Sequence, residues 1–390
     1  MGGYTIVDNN SEEFKKLSLC MIVRNEEEKL AQCLKSVRAV VDEIIIVDTG
    51  SEDRTKEIAL SFNASVYSYE WNDDFAAARN YGLEKSTGDW VLWLDADEEV
   101  AGESVELLRN VLKEDKYWLG SVQIINYYGP LPASYNQSHL LAQYRLFRNN
   151  SNLRFRNAVH EQLDISELGL TKQSVITLPV NIHHYGYMDY EVEVKGKSER
   201  NLRLLEKEKQ LEDYDPWIDY HIGSELYRSG ELVQAFESVN TSIRRFLEKK
   251  SMPPSLLYKL KYSILLALGS YEGAKDGINF AIQLYPDYVD LHFYRGIIYM
   301  QSKEYTKALI SFNHCLELKE VNTAHLIMVG VGSFYSHYYI GVCHQNLKNY
   351  EKAKDAYLKT LELLPDHRDA HEALKLIEGS SATTFGAIGE

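Results

Sequence analysis

The sequence has no long apolar run. No stretch approaches the roughly 18 consecutive apolar residues of a membrane-spanning helix. The N-terminus also lacks the basic and then apolar pattern of a secretory signal peptide. These two absences predict a cytoplasmic protein without membrane spans. At 390 residues, the chain is long enough for two or more domains, each with its own core.

Cysteine and positive charge are both scarce. The four cysteines, Cys20, Cys33, Cys315 and Cys343, do not have metal-ligand spacing, so we expect reduced and mostly buried thiols. The net charge is −15. A nucleic-acid-binding surface requires clustered Lys and Arg to neutralise phosphates, so this charge balance argues against one. It still permits a nucleotide, which one metal ion and a few donors can hold.

Two common nucleotide-binding patterns are missing. Neither Gly-x-Gly-x-x-Gly nor the P-loop pattern occurs in the chain. A nucleotide site in this protein is therefore of neither the dehydrogenase nor the ATPase type.

The first hundred residues alternate between strand and helix patterns. This alternation predicts a mainly parallel sheet wrapped by helices, with Ser51 as the N-cap of the second helix. We expect strands at 17–23, 43–48, 64–71 and 90–94, helices at 28–37, 51–60 and 74–85, and then a helix at 103–113, strands at 117–128 and 139–147 and further segments at 155–162 and 175–184.

Two carboxylates follow the fourth predicted strand. The apolar run Trp90–Leu94 leads directly into Asp95-Ala96-Asp97. In open α/β sheets, the ligand crevice lies at the carboxyl ends of the strands. Carboxylate oxygens there suit Mg²⁺ or Mn²⁺, ions that are often shared with substrate phosphates.

Six short motifs in order carry a family resemblance over residues 17–190. They are Ile22-Val23-Arg24-Asn25-Glu26, Val47-Asp48-Thr49-Gly50-Ser51-Glu52-Asp53-Arg54-Thr55, Ala78-Arg79-Asn80, Asp95-Ala96-Asp97, Asn157-Ala158-Val159-His160-Glu161 and His184-Tyr185-Gly186-Tyr187. The chain resembles family 2 glycosyltransferases. This resemblance implies the GT-A fold of nucleotide-diphospho-sugar transferases and inverting transfer from a UDP-sugar. In combination with its C-terminal half, the chain is similar to the subgroup of sublancin-type peptide S-glycosyltransferases.

The resemblance assigns the donor site. Asp97 would bind the ion directly, and Asp95, next to Ala96, would contact sugar or ribose. Asp48 would accept a hydrogen bond from base or ribose; the residue after it is Thr49, where many relatives have a second Asp. The alternative for Asp48 is a capping role in its turn.

Three residues after the first strand could line the base pocket. They are Val23, Arg24 and Glu26, although the two charged ones could equally be solvent-exposed. Trp93 could stack on sugar or base, or pack in the core.

The resemblance also suggests catalytic residues. Glu161 is our candidate for the base that takes the acceptor proton, with His160 as the alternative. His184 would be a third metal ligand, or a histidine bonded to backbone. Arg79 could grip the diphosphate bidentately, or form a salt bridge with Asp73, Asp74 or Asp89.

The second half predicts helical repeats. Residues 191–215 are charged and read as a connecting helix; residues 216–378 place Ala235, Ala274, Ala308 and Ala353 at one tetratricopeptide-like position. Gly223, Tyr262, Gly296 and Gly341 fall twelve residues earlier. The longest step contains residues 326–334, either an extended first helix or an insertion. Residues 1–16 and 379–390 are expected to be flexible or unstructured.

The fold class predicted is thus a GT-A α/β domain followed by all-α tetratricopeptide-like repeats. The function expected is transfer of a hexose, with glucose favoured, to a peptide Cys or Ser. A homodimer or acceptor binding through the repeats would fit. The alternatives are a glycosyltransferase acting on a cell-surface polysaccharide or lipid-linked glycan, and a non-catalytic repeat scaffold with a degenerate nucleotide domain.

Overall fold

The computed structural model describes residues 15–149, 153–166, 169–190 and 197–385. The chain divides into two compact units. The first comprises residues up to Gln123 together with Gln143–His183, and the second comprises Ile124–Ala142 together with the chain from His184 onward. The predicted domain ranges, 17–190 with a connecting helix at 191–215 and repeats at 216–378, stay a prediction; in the two compact units, residues 124–142 are grouped with the C-terminal half.

The first unit begins with a parallel sheet. Its strands follow the predicted alternation, and the observed order is β3-β2-β1-β4. The strands are β1 Leu17–Val23, β2 Glu43–Asp48, β3 Ser65–Ser68 and β4 Trp90–Trp93, with helices α1 Leu30–Val37, α2 Thr55–Ser61 and α3 Phe75–Lys85 between them. Because Val23 on β1 lies beside Asp48 on β2, the predicted donor-site motifs after these two strands leave the same edge of the sheet.

Helix α2 begins later than predicted, and Ser51 is not its N-cap. The helix runs from Thr55, and the hydroxyl of Ser51 instead accepts a hydrogen bond from the amide of Asn25 at 3.0 Å. The side chain of Asp53 accepts from the amide of Thr55 at 2.9 Å. The residues between β2 and α2 therefore form a loop tied to the end of β1.

An antiparallel part follows, and the sheet continues from β4 in the order β7-β6-β10-β5. Its elements are β5 Glu98–Val100, a 3₁₀ turn Gly102–Ser104, α4 Val105–Leu112, β6 Leu119–Gly129, β7 Ser138–Arg148 and β10 Val175–Met188. Strand β5 was not predicted, because only four residues separate the acidic motif from the following turn. The segment predicted at 155–162 is two strands, β8 Arg154–Arg156 and β9 Gln162–Asp164, paired as a separate hairpin.

Close approach of α3 to the sheet positions the site. Ala76 and Ala78 are buried, and Ala77 between them is half-buried. A Cβ at Gly82 would lie 2.6 Å from Sγ of Cys20 on β1. Small residues on this face let α3 approach the sheet, and they bring Arg79, on the same helix, to the carboxyl end of β4.

The second unit contains four helix pairs. Helix α5, Lys197–Glu208, precedes them within the predicted connecting segment. The pairs are α6 Trp217–Arg228 with α7 Leu232–Glu248, α8 Ser255–Ala267 with α9 Tyr271–Leu284, α10 Val289–Gln301 with α11 Tyr305–Leu318, and α12 Phe334–Asn346 with α13 Tyr350–Leu363.

The predicted repeat register is confirmed by packing. All four register alanines are at most 1% exposed. The preceding glycines lie against the second helix of each pair: a Cβ at Gly296 would meet Phe312 at 2.5 Å, and one at Gly341 would meet Tyr357 at 2.5 Å. Glycine therefore sets the distance between paired helices in the last two units.

The long step between the third and fourth pairs is an insertion. It holds β11, Ile327–Met328, which pairs with the 138–142 part of β7, and α12 begins only at Phe334. A buried ion pair anchors it: Nζ of Lys259 donates to Asp290 at 2.5 Å and to the carbonyl of Leu326 at 2.8 Å. The alternative of an extended first helix was wrong.

The described part of the chain ends in a helix, although an unstructured tail was expected at 379–390. Helix α14 runs from Arg368 through Phe385, and residues 386–390, like 1–14, lie outside the described part. The helix of the preceding residues continues through the first seven residues of this stretch, 379–385. No helix of the described residues is long and apolar enough to span a membrane.

Candidate active site

The ends of β1 and β2 form the first part of the site. The carbonyl of Val23 accepts a hydrogen bond from the amide of Thr49 at 3.0 Å. The carboxylate of Asp48 is buried, accepts from the amides of Gly50 and Ser51, and lies 3.2 Å from Nζ of Lys56. These contacts match the turn-capping alternative for Asp48, and a nucleotide contact stays a prediction.

The residues after β1 differ in exposure. Arg24 is exposed, whereas Glu26 is half-buried and its amide donates to Oγ1 of Thr55 at 2.7 Å. Their roles in a base pocket stay predictions, but they do follow the strand next to Asp48 in the sheet.

The acidic motif forms a tight turn at the end of β4. Ala96 and Asp97 are buried. The amide of Asp95 donates to Oε2 of Glu98 at 2.9 Å, and the amide of Glu98 donates back to the carbonyl of Asp95 at 3.0 Å. The thiol of Cys33 donates to the same carbonyl at 3.4 Å. The backbone of Asp95 is thus fixed from both directions.

Arg79 joins the acidic motif to the candidate base. Its Nη2 donates to Oδ1 of Asp95 at 2.8 Å, and its Nε donates to Oε1 of Glu161 at 2.5 Å. Burial alone would lower the pKa of Arg79, but the charges of Asp95 and Glu161 outweigh burial and raise that pKa above its ordinary value. The guanidinium therefore stays charged, between two carboxylates predicted for different tasks.

The salt-bridge partners predicted for Arg79 were wrong. The side chain of Asp74 caps α3, Asp73 accepts from the indole of Trp71, and Asp89 accepts from the amide of Lys16. Arg79 is only 6% exposed. A buried helix face meets the ends of strands, so its charged partners come from distant sequence positions.

The loop that carries His160 and Glu161 is held by α3. Asn80 donates to the carbonyl of Phe155 at 2.9 Å and accepts from its amide at 2.8 Å. The amide of Phe75 donates to the carbonyl of Ala158 at 2.8 Å. His160 has a φ of 53°, in the left-handed region. Which of His160 and Glu161 is the base stays open, but only Glu161 is shown bound to Arg79.

Sequence reasoning missed Arg145 and Glu98. Nη2 of Arg145, on β7, donates to Oε1 of Glu98 at 2.5 Å, and its Nη1 lies 4.0 Å from Oδ2 of Asp95. Burial raises the pKa of Glu98, although the charge of Arg145 opposes this. The guanidinium groups of Arg79 and Arg145 lie 4.2 and 3.9 Å from the ring centroid of Trp93. Two guanidinium groups therefore lie against the ring of Trp93. Neither alternative from the sequence, stacking on sugar or base or packing in the core, included this contact.

A signal for Arg145 was present in the sequence. The four carboxylates of Asp95, Asp97, Glu98 and Glu99 fall within five residues at a strand end. Such a charge cluster in a partly buried place requires nearby cations. Arg145, which interrupts the otherwise apolar strand pattern Tyr144-Arg145-Leu146-Phe147, is a candidate for such a cation.

The metal assignment stays a prediction. Among the described residues, no group of three or more His, Cys, Asp or Glu side chains is arranged to hold an ion. His184 belongs to the second unit, where its Nδ1 lies 2.8 Å from Oδ1 of Asn126. Mg²⁺ is often held by one or two carboxylates together with substrate phosphates. The hard oxygens of Asp95 and Asp97 fit such an ion without His184.

Comparison with known proteins supports the two kinds of domain. The model for glycosyl transferase family 2 matches residues 18–173, and tetratricopeptide repeat models match residues 289–322 and 334–367. A TPR repeat-containing protein of Synechococcus elongatus is 35% identical over 69% of this chain and 66% of its own length. The SPbeta prophage-derived glycosyltransferase SunS of Bacillus subtilis is 28% identical over 71% of this chain and 65% of its own. The match thus spans about two thirds of the length of these relatives.

A third relative matches within a shorter region. It is a glycosyltransferase of Rickettsia typhi described as uncharacterized, 32% identical over 29% of this chain and 40% of its own length. The family model and the sheet with its acidic strand end agree on the N-terminal domain, and the repeat models agree with the helix pairs. Residues 18–173 therefore belong to glycosyl transferase family 2, and the chain joins this domain to C-terminal tetratricopeptide repeats.

Proposed function

We propose that this protein is an inverting, metal-dependent glycosyltransferase that moves glucose from UDP-glucose to a Cys or Ser of a peptide. The observation that carries the proposal is the buried bridge of Arg79 between Asp95 and Glu161. It joins a donor-side carboxylate at the carboxyl end of β4 to a carboxylate that can take a proton.

The proposed reaction has one displacement step. The acceptor sulfur or oxygen forms a bond to C1 of the sugar, and the bond from C1 to the diphosphate oxygen breaks. The diphosphate leaves with that electron pair, and the acceptor proton passes to the carboxylate of Glu161. Attack opposite the leaving group inverts the configuration at C1.

Asp97 and Asp95 would hold the divalent ion, whose charge would offset that of the departing diphosphate. On the buried side of the acidic motif, positive charges compensate its carboxylates. Arg79 and Arg145 supply two cations beside Asp95, and the low exposure of Asp97 keeps water from competing for its carboxylate. Asp95 and Asp97 would thus hold the ion at the donor site, and the two arginines would hold the acidic motif in place.

The repeats support a peptide acceptor. Helical-repeat surfaces commonly bind peptides or another copy of the same protein, and four helix pairs follow the family 2 domain. Both acceptor binding and homodimer formation are therefore part of the proposal, for a protein acting in the cytoplasm.

Mass spectrometry tests the proposal. The full chain is incubated with Mn²⁺, a set of nucleotide sugars and matched peptides that carry one Cys or one Ser. We expect a hexose mass gain with UDP-glucose that is lost in Asp97→Ala. The matched control is Asp213→Ala, in the chain's other Asp-x-Asp, where Asp213 is exposed and paired with Lys249. Transfer only to glycan or lipid-linked acceptors would overturn the peptide assignment, and no transfer or nucleotide binding would favour the scaffold alternative.

A further inference from the structure

The bridge made by Arg79 uses one whole edge of its guanidinium group. Nε–H and Nη2–H point in the same direction, and this edge is the one with which arginine commonly grips a phosphate or carboxylate in a bidentate way. In Arg79, the two donors go to two different carboxylates, Glu161 at 2.5 Å and Asp95 at 2.8 Å. A diphosphate could use this edge only if a carboxylate left it.

The surroundings hold Arg79 in this position. The side chain is 7% exposed, and its guanidinium carbon lies 4.2 Å from the ring centroid of Trp93 and 5.6 Å from that of Phe155. The next residue, Asn80, is fixed to both backbone groups of Phe155. The arginine therefore has little freedom to turn toward a ligand.

We propose that Arg79 is a positioning residue that sets the place of Glu161 relative to Asp95, and that it is not a ligand of the diphosphate. This inference rests on the proposed function, because it assigns Glu161 as the base and Asp95 to the donor side. Arg79 acts through the two carboxylates and touches no reacting atom. Its loss therefore affects proton removal more than nucleotide affinity.

The acceptor atom gives a specific readout. A thiol has an ordinary pKa near 8.5 and needs less help from a base than a serine hydroxyl. Displacing Glu161 should thus slow transfer to Ser more than transfer to Cys. A general structural loss would lower both rates alike.

The experiment compares Arg79→Gln and Arg79→Lys with wild type. The matched control is Arg156→Gln, which breaks the ion pair between the exposed Arg156 and the half-buried Asp164 in the hairpin next to Glu161. UDP affinity is measured by calorimetry with Mn²⁺, and kcat and KM are measured on matched Ser and Cys peptides. For Arg79→Gln we expect kcat on the Ser peptide to fall about 10²-fold, as for a misplaced general base, with a clearly smaller fall on the Cys peptide. UDP affinity should change less than about threefold, because no phosphate contact is lost.

The kcat of Arg79→Lys on the Ser peptide should lie between those of wild type and Arg79→Gln. Lysine keeps the positive charge, but one ammonium group cannot reproduce the fork that spans both carboxylates. A second measurement needs neither metal nor activity: thermal midpoints of metal-free Arg79→Gln, Glu161→Gln and the double variant. The two single shifts should not add in the double variant, since the residues are in contact.

Three outcomes contradict the inference. UDP affinity reduced by more than about 30-fold in both Arg79 variants, with equal losses on the two peptides, would make Arg79 a diphosphate ligand. Unchanged kcat on the Ser peptide, or additive thermal shifts, would remove its positioning role. If wild type neither binds UDP nor transfers sugar, the proposed function fails as well, and this result is distinct from the others because it does not involve the variants.

Discussion

Asn80 and Phe155 exchange two hydrogen bonds, from the amide side chain to the carbonyl at 2.9 Å and from the backbone amide to the side chain at 2.8 Å. This exchange fixes strand β8, which leads into the loop of Glu161, to helix α3. The same helix carries Arg79 one residue earlier. Helix α3 therefore holds the side chain of Glu161 through Arg79, and it holds the backbone of the preceding strand through Asn80.

Asn80→Ala should loosen the loop of Glu161. We expect a loss of about 1–3 kcal/mol in unfolding free energy, because two partly buried backbone groups lose their partner. Transfer to a Ser peptide should fall more than stability predicts. Both are measured on the same preparation, by chemical denaturation and by kcat at a temperature where the variant is folded.

Asn149→Ala is the control for Asn80. Asn149 also holds backbone, donating to the carbonyls of Ser86 and Gly88 at 3.0 and 2.9 Å, but it does not contact the loop of Glu161. A loss of stability without a matching loss of kcat is expected. Equal effects of the two variants on kcat would show that Asn80 has no special relation to Glu161.

Glu43 should make the stability of the folded protein depend on pH in the acidic range. Burial would raise its pKa, but hydrogen bonds from Ser18, Thr87 and Gly88 outweigh burial and lower that pKa below its ordinary value of 4.5. The folded state then favours the ionised form, so this stabilisation is complete above pH 4.5 and is lost as pH falls through the lowered pKa. Glu43→Gln should lower the melting temperature at pH 7 and flatten its decline in acid. The exposed Glu28, changed to Gln, should leave the wild-type profile unchanged.

Gly296→Ala should destabilise the repeats. The added Cβ would lie 2.5 Å from the ring of Phe312, so the paired helices α10 and α11 must separate. Overpacking of this kind costs about 1–3 kcal/mol, measured by denaturant unfolding followed by circular dichroism. Gly273→Ala, in α9, meets only the hydroxyl of Ser270 at 3.1 Å and should be neutral or gain up to about 1 kcal/mol from helix propensity. The same loss in both variants would contradict glycine as the spacer.

Arg145→Met should show that this arginine supports the acidic motif. The variant keeps an apolar stem near Trp93 but removes the cation bound to Glu98. Breaking a buried pair from one side costs about 3 kcal/mol or more, read as a shift in the denaturant midpoint. Arg145→Met/Glu98→Gln should recover more than half of that loss. No recovery would mean that packing on Trp93, and not the charge, is what Arg145 contributes.

The sequence was sufficient for the sheet edge and for the repeats. The bounds of β1 and β2 were predicted to the residue, because each contains an apolar run, at 19–23 in β1 and at 44–47 in β2, that is flanked by polar or charged residues. The repeat register was predicted from alanines and glycines twelve residues apart, since helix pairs must approach closely there. Patterns of this kind are local, and local patterns are visible in one sequence.

Other features depend on contacts between residues that are far apart in the sequence. Arg79 pairs with Glu161, 82 residues away, and not with the three aspartates near it. The turn between β8 and β9 contains two non-glycine residues with positive φ, Asn157 and His160. No turn pattern in the sequence predicts this backbone conformation. Strand β11 exists because Lys259 and Asp290 anchor it and β7 pairs with it.

We propose that Asp97 and Asp95 form the donor site. Calorimetric titration of the full chain with UDP, with and without Mn²⁺, in wild type and in Asp97→Ala tests it most directly. We expect UDP binding that Mn²⁺ strengthens at least tenfold, an increase lost in Asp97→Ala and kept in Asp213→Ala. Binding of UDP that is the same with and without Mn²⁺, or equally strong in Asp97→Ala, would contradict it.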